Sequence, residues 1–308
     1  MRVFVTGVGG QLGHDVVNEL AKRGHRPIGS DIGLIEPMPV IVERIVSEKL
    51  DPIYMQLDIT DREPVMRTIE ELQPDAIIHC AAWTAVDAAE DEKKKTLVYR
   101  INADGTKNIA DAAKSVDAKL VYLSTDYVFD GQGERPWQPD DKNYAPLNYY
   151  GQTKLEGEFA VSAATDKYFI VRIAWVFGLN GNNFIKAMVN VGRKHDTVLV
   201  VNDQIGTPTY TYDLARLLVD MIETEKYGYY HATNEGGFIS WYDFACEIYM
   251  QAGMDTTVIP VTTEEYGLNV AARPFNSRLD KSKLVEVGFT PLPDWKDAVA
   301  RYLKEAKL

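Results

Sequence analysis

Short apolar runs alternate with longer amphipathic stretches along the first half of the chain, and that alternation predicts its architecture. Val3-Phe4-Val5-Thr6 reads as a strand, the glycine-rich Gly7 to Gly13 as a turn, and His14 to Arg23 as an amphipathic helix ending at Gly24. Further strands are expected at Arg26 to Asp31, Met55 to Asp61, Asp75 to Ala82, Lys119 to Thr125 and Tyr168 to Ala174. Between the second and third, residues 33 to 50 carry an apolar, partly helical pattern. Helices are expected to begin near Arg62, at Asn102 (running through Ala113) and around Tyr150. Strands alternating with helices in this way predict an α/β fold with a doubly wound parallel sheet. Beyond Trp175 the pattern loosens. It suggests a helix from about Phe184 to Arg193, an extended run through Val201, a loop over residues 204–209, and helices from Tyr212 to Glu223 and from Trp241 to Ala252.

Composition narrows the function classes. A chain of 308 residues suits one large or two modest domains. Its formal net charge of -12 argues against nucleic acid or an anionic membrane as partner, since either needs a basic patch. An anionic small ligand remains compatible if local Arg and Lys gather around it. Cys80 and Cys246 lack metal-ligand spacing and read as free thiols, so no metal site is expected from them. The segment after Met1-Arg2 lacks the long apolar region and cleavage site of a secretory signal, which leads to the expectation of a soluble, cytoplasmic protein.

The candidate chemistry begins at the glycine turn. Gly7, Gly10 and Gly13 let the backbone approach a pyrophosphate, and the following helix N-terminus offers unpaired N–H groups to its charge, as in the opening of a Rossmann unit. Residues 1–174 are therefore expected to form a dinucleotide-binding domain, and residues 175–308 a smaller, mainly substrate-binding lobe with segments returning to the first. Asp31, at the end of the second strand, suits a ribose hydroxyl or a plain turn, and Asp58 suits the adenine edge or a helix cap. Ala81 and Ala82 leave room above the fourth strand, where His79 reads as a core histidine. Thr125 ends the fifth strand, where catalytic groups sit in open parallel sheets. Tyr150 and Lys154 lie one helical turn apart on one face. A phenol with a pKa of about 10 is a poor acid or base at neutral pH, and a neighbouring cation is expected to pull it down.

Thr6-Gly7-x-x-Gly10-Gln11-Leu12-Gly13, Ala81-Ala82-Trp83-Thr84-Ala85-Val86-Asp87, Ser124-Thr125-Asp126-Tyr127-Val128-Phe129-Asp130-Gly131, Tyr150-Gly151-x-Thr153-Lys154-x-x-Gly157-Glu158, Asp203-Gln204-x-Gly206-x-Pro208-Thr209, Ser240-Trp241-Tyr242-Asp243-Phe244-Ala245 and Arg273-Pro274-x-Asn276-Ser277 together resemble the extended short-chain dehydrogenase/reductases. More narrowly, they resemble the dTDP-4-dehydrorhamnose reductase family. The resemblance implies reduction of the 4-keto group of dTDP-4-dehydro-L-rhamnose, with NADPH the usual donor; Asp31, which opposes a 2′-phosphate, leads to the expectation that NADH supports turnover as well. It makes Tyr150 the proton donor, Lys154 its modulator and a nicotinamide-ribose ligand, and Thr125 the hydroxyl that orients the substrate carbonyl. The cofactor would be lined by Gly7, Gly10, Gln11, Leu12, Gly13, Asp31, Asp58, Ile59, Ala81, Ala82, Trp83 and Asn102, besides Tyr150 and Lys154. The nucleotide sugar would meet Thr125, Asp126, Trp175, Asn183, Lys186 and Arg273. For Trp175, Lys186 and Arg273 a plain core or solvated role stays open.

Two departures matter. The stretch from Gly33 to Met55 is longer than this family leads one to expect and borders the adenosine site, which leaves the choice between NADPH and NADH open. Family members also form magnesium-bridged dimers held by acidic residues; Asp15 is the candidate here, so both monomer and homodimer remain, with magnesium only at such an interface. Two other readings stay open: a related epimerase or dehydratase, and a non-catalytic NADP-binding subunit like the regulatory subunit of methionine adenosyltransferase. Against a dehydratase stands Tyr127, where such enzymes place a glutamate directly after the aspartate.

Overall fold

The computed structural model describes residues 1–33, 53–268 and 270–308; the apolar pattern over 33–50 lies, from residue 34 on, outside them. Six strands, β1 (Arg2–Thr6), β2 (Arg26–Asp31), β3 (Ile53–Gln56), β4 (Ala76–His79), β5 (Lys119–Thr125) and β6 (Tyr168–Ile173), join a late seventh strand, Gly228–His231, in one parallel sheet. From one edge to the other it runs seventh strand, β6, β5, β4, β1, β2, β3. The strands read as near-continuous apolar runs because both faces are covered. On one face Val3, Val5, Val121, Phe169 and Val171 pack with helix α1 (Gln11–Lys22) and the Thr211–Ile222 helix. On the other, Phe4, Ile77, Leu120, Tyr122 and Ile170 meet the Arg62–Leu72 and Thr106–Ser115 helices. This is the doubly wound, Rossmann-type architecture that the alternation predicts.

The chain reverses its direction across the sheet at β1, which pairs with β2 on one side and β4 on the other. At such a switch point a crevice opens outside the carboxyl ends of the strands. Below it, Ser124 of β5 lies in register with Arg172 of β6, and both reach Glu158 on the Tyr149–Ala164 helix. That ion pair has no exposed side-chain surface on either partner.

Several boundaries differ from expectation for local reasons. β3 ends at Gln56, because Asp58 turns the chain by accepting the Thr60 N–H at 2.8 Å. β4 stops at His79, and the small residues after it leave the ladder. A helix at Glu92–Tyr99 precedes a π-helical turn at Arg100–Gly105, which displaces the helix expected at Asn102 to Thr106–Ser115. The seventh strand carries no clear pattern of its own, whereas a last helix, Trp295–Ala306, which the reading above does not assign, buries Trp295, Ala298, Val299, Tyr302 and Leu303 at helical spacing behind an Asp294 cap.

After β6 a second apolar cluster forms around Phe177, Tyr210, Phe244 and Tyr302, supplied by the Phe184–Gly192, Trp241–Gln251 and Trp295–Ala306 helices. A parallel ribbon, Thr197–Val201 with Thr257–Val261, flanks it. Among the described residues no helix is long and apolar enough to cross a membrane.

Gly157 marks the tightest crossing of the Tyr149–Ala164 helix over the sheet. A Cβ there would collide with the Tyr122 hydroxyl and stand 2.9 Å from the Asn102 carbonyl oxygen. Tyr122 cannot simply yield, because its hydroxyl donates to the Lys154 carbonyl at 3.0 Å. Overpacking of this kind costs about 1–3 kcal/mol. Gly157→Ala is therefore expected to lower the unfolding free energy from a urea titration by about that much; an unchanged midpoint would show that the helix stands off without cost.

Candidate active site

The crevice at the end of β1 has room only because of its glycines. Gly7 has φ of +70°, and a Cβ on it would fall 2.6 Å from the Ala81 nitrogen. A Cβ on Gly13 would collide with the Gly7 carbonyl and lie 2.8 Å from Val8 Cα, so α1 can begin this close to β1 only without one. Gly10 takes the N-cap position of α1 with extended backbone and no side-chain cap, leaving the first N–H groups for a ligand. The turn is fixed from both sides: Gly7 N–H donates to the Ser30 carbonyl at 2.8 Å, and Gly9 N–H to Asp31 at 2.9 Å. Asp31 also accepts the Ile32 N–H, so its carboxylate stands at the end of β2 beside the turn. These features fit a dinucleotide.

Around the crevice the other cofactor candidates divide. Thr6 accepts the Ala81 N–H at 3.1 Å and holds the strand end where Ala81 and Ala82 are partly exposed. Asn102, buried in the π-helical turn, accepts the Trp83 N–H at 2.8 Å and donates to Trp83 O and Thr153 Oγ1, tying the crevice wall to the Tyr150 helix. Ile59 is buried against Gly105. Asp58 is engaged with its own turn. Leu12 packs in the core, while Gln11 accepts from Asn183 Nδ2 at 3.2 Å, which ties the crevice to the cap of the Phe184–Gly192 helix. His79 is a buried strut, 2.7 Å from the Thr6 hydroxyl and 3.2 Å from that of Thr106, and burial drives its imidazole down to about 3. It is a core histidine.

Asn148 caps the helix that bears Tyr150 and Lys154 by accepting the Gly151 N–H at 2.8 Å, while Glu90 accepts the Tyr149 N–H at 2.7 Å. The helix start is thereby set against the end of β5. Thr125 lies beside the Tyr150 phenol and donates to Asp126 Oδ1 at 3.0 Å. Asp126 is buried with Oδ2 unpartnered, and desolvation raises its carboxyl to about 6. The simple expectation for the Tyr–Lys pair needs correction here. Burial, reinforced by the Asp126 charge, pushes the Tyr150 phenol up rather than down, against the Thr125 hydrogen bond. The same desolvation lowers Lys154 to about 7, with Glu158 and Cys80 opposing it. Lys154 Nζ lies 4.2 Å from the Tyr122 ring centre.

The remaining substrate candidates are mostly committed to protein partners. Arg273 pairs with Asp87 at 2.7 Å, and Asp87 also accepts the Val270 and Ala271 N–H groups. Lys186 donates to the Leu179 and Gly181 carbonyls at 2.5 and 2.8 Å. Asn183 caps the Phe184–Gly192 helix through the Lys186 N–H. Trp175 sits at a positive φ of 51° and stacks on Trp241 with 3.8 Å between ring centres. Asp15 is buried, accepting the Thr211 hydroxyl at 2.5 Å and lying 3.2 Å from His14 Nδ1, which takes it off any exposed face. Among the described residues no group of three or more His, Cys, Asp or Glu is placed to hold a metal ion. Sequence reasoning assigned no role to Ser124, Glu158 and Arg172; the signal was a charged residue inside the apolar run Phe169-Ile170-Val171-Arg172-Ile173, which calls for a buried partner.

The sequence model described as the RmlD substrate binding domain matches residues 1–308. The spore coat polysaccharide biosynthesis protein SpsK of Bacillus subtilis is 35% identical over 304 residues, covering 99% of this chain and 97% of its own. A crystal structure of a dTDP-4-dehydrorhamnose reductase from Clostridium acetobutylicum superposes with a TM-score of 0.87 at 40% identity, covering 100% of both chains. The dTDP-4-dehydrorhamnose reductase of Bacillus anthracis, solved in complex with NADP, gives the same TM-score at 40% identity and covers 99% of each chain. With a match along its whole length and relatives this similar, the chain belongs to the RmlD family of dTDP-4-dehydrorhamnose reductases.

Proposed function

We propose that the chain reduces the 4-keto group of dTDP-4-dehydro-L-rhamnose to dTDP-L-rhamnose, a nucleotide sugar for cell-surface polysaccharide. The observation that carries this reading is the placement of Thr125, at the end of β5, beside Tyr150, with Lys154 one turn further along the Tyr149–Ala164 helix, in a chain of this family whose glycine crevice fits a dinucleotide. NADPH supplies the hydride when bound, and NADH is accepted as well. Tyr150, kept protonated by burial, gives its proton to the C4 oxygen as the alkoxide develops, so that charge is neutralised as it forms. Thr125 donates a hydrogen bond to the same oxygen and orients it. Lys154 holds the nicotinamide ribose and offsets the charge left on the phenol. Gly7, Gly10, Gln11, Leu12, Gly13, Ala81, Ala82, Trp83 and Asn102 form the cofactor wall, with Asp31, Asp58 and Ile59 on the adenosine side.

On the sugar side, Asp126 offers an unpartnered carboxylate oxygen to a sugar hydroxyl. Arg273, partly exposed and next to Tyr127, and Lys186 are the cations for the diphosphate; Arg273 would share its guanidinium with Asp87, and Lys186 its ammonium with two backbone carbonyls. Trp175 and Asn183 shape the far wall. The enzyme is expected to work in the cytoplasm as a monomer or homodimer, with no nucleic-acid or membrane partner.

The direct test supplies dTDP-4-dehydro-L-rhamnose and NADPH to the purified chain, follows the loss of reduced cofactor and identifies the sugar product. dTDP-L-rhamnose at catalytic rates is expected; binding of both ligands without turnover would point to a regulatory subunit instead. Tyr150→Phe should fold, bind the dinucleotide and lose at least about 10²-fold in kcat, because only the donated proton is removed. Near-normal turnover would end the role given to Tyr150. Both NADPH and NADH should support reduction, and Asp31→Asn, which keeps an acceptor for Gly9 N–H, should raise the NADPH to NADH ratio of kcat/KM about 10-fold by removing a like charge from the 2′-phosphate. An unchanged ratio would remove Asp31 from the discrimination.

A further inference from the structure

The motif that contains Tyr150 and Lys154 ends at Glu158, a residue with no part in the chemistry above. Arg172 donates to its two carboxylate oxygens at 2.8 and 2.7 Å, with neither side chain exposed. The Oε1 atom also accepts the Ser124 hydroxyl at 2.5 Å, and Ser124 directly precedes Thr125. Arg172 is itself held by the Pro139 carbonyl and the Tyr144 hydroxyl, each at 3.1 Å, and lies 4.9 Å from the Phe129 and Tyr229 ring centres. Glu158 follows Lys154 by four positions, so the two occupy one helix face a turn apart. One carboxylate thus touches the strand that ends in Thr125, the neighbouring strand and the helix of the reacting groups.

We propose that Glu158 is a positioning residue for the reduction, clamping the Thr125 strand end to the Tyr150 helix and setting a buried carboxylate one helical turn from Lys154. The proposal rests on the roles given above to Tyr150 and Lys154. A buried ion pair adds little net stability over apolar packing of the same volume, so its placement matters more than its strength. Few charges compete for Lys154. From β4 and the residue after it, His79 and Cys80 face it, both kept neutral at pH 7 by burial. From β5 comes the Tyr122 ring, and from its own helix Tyr150, both phenols pushed up. Glu158 is the carboxylate that opposes the desolvation of the ammonium, and Arg172 stands behind it. The signs follow directly. Removing the Glu158 charge makes Lys154 give up its proton at lower pH, whereas removing Arg172 leaves Glu158 uncompensated and has the opposite effect.

The experiment is the pH profile of kcat/KM for the wild type, E158Q, R172M and the double variant E158Q/R172M, with folding checked by circular dichroism and Y150F run alongside. The basic limb should move down by about one pH unit in E158Q and up in R172M. In the double variant it should fall between E158Q and wild type, because Glu158 is the nearer charge. At the optimum, E158Q should lose about 10-fold in kcat through the misplaced strand end, with KM within about threefold. Profiles that superimpose, or that move with the opposite signs, overturn the proposal. If a single variant fails to fold, the double variant, which buries no lone charge, decides alone: a profile identical to wild type overturns the proposal and a lowered basic limb supports it. An active Y150F would instead remove the reading of Tyr150, while an inactive Y150F beside an unshifted Glu158 series removes only the role of Glu158.

Discussion

Two opposite charges with no exposed side-chain surface constrain the parallel sheet of this molecule and the helix across it. Glu158 and Arg172 can each be buried only because the other is there, since a lone buried charge is far more costly than a pair. Because Arg172 and Ser124 are register partners on adjacent strands, a slip of one residue between β5 and β6 would turn Arg172 to the opposite face and strand the carboxylate. Strand register, helix height and the place of Thr125 are therefore a single condition, satisfied together or lost together. Gly157 belongs to the same condition, because the helix comes close enough to present Glu158 only where no Cβ intervenes.

Desolvation acts on Tyr150 and Lys154 in the same sense, favouring the uncharged form of each. The resting site therefore stores a proton on the phenol instead of poising a phenolate. That arrangement suits a reaction in which negative charge appears on a substrate oxygen and must be met at once. Asp126 strengthens it: its negative charge next to Tyr150 makes loss of the phenolic proton harder until an oxygen arrives to receive it. The pair thus acts through its surroundings more than through mutual attraction.

Much of the fold was legible because its strands carry dense apolar runs bounded by glycine or aspartate, as at Val3 to Gly7 and Lys119 to Asp126. β5 and β2 fall where the pattern places them. The seventh strand escaped because Gly228-Tyr229-Tyr230-His231 is short and half polar, and only pairing with β6 makes it a strand. The π-helical turn at Asn102 escaped because its cause is tertiary: the Asn102 side chain bridges Trp83 and Thr153, distant positions that no local spacing connects. At the site, residue types and spacing identified the reacting trio but not their ionisation, which depends on burial and on Asp126. The partners of Arg273 and Lys186 were hidden for the same reason, since Asp87 lies far along the chain and Lys186 donates to two backbone carbonyls.

The late arrival of that seventh strand has a consequence for biosynthesis. When β6 leaves the ribosome, its outer edge is a row of unpaired peptide groups on an apolar strand, the kind of edge that invites pairing with another chain. Its partner is made more than fifty residues later. At roughly 5–20 residues per second, the nascent sheet spends several seconds with that edge bare. The intervening Thr211–Ile222 helix, which covers the same face of the sheet as α1, emerges first. For this chain, completion of the nucleotide-binding sheet is a late event in synthesis, and the interval before it is when the growing polypeptide most needs shelter from its neighbours.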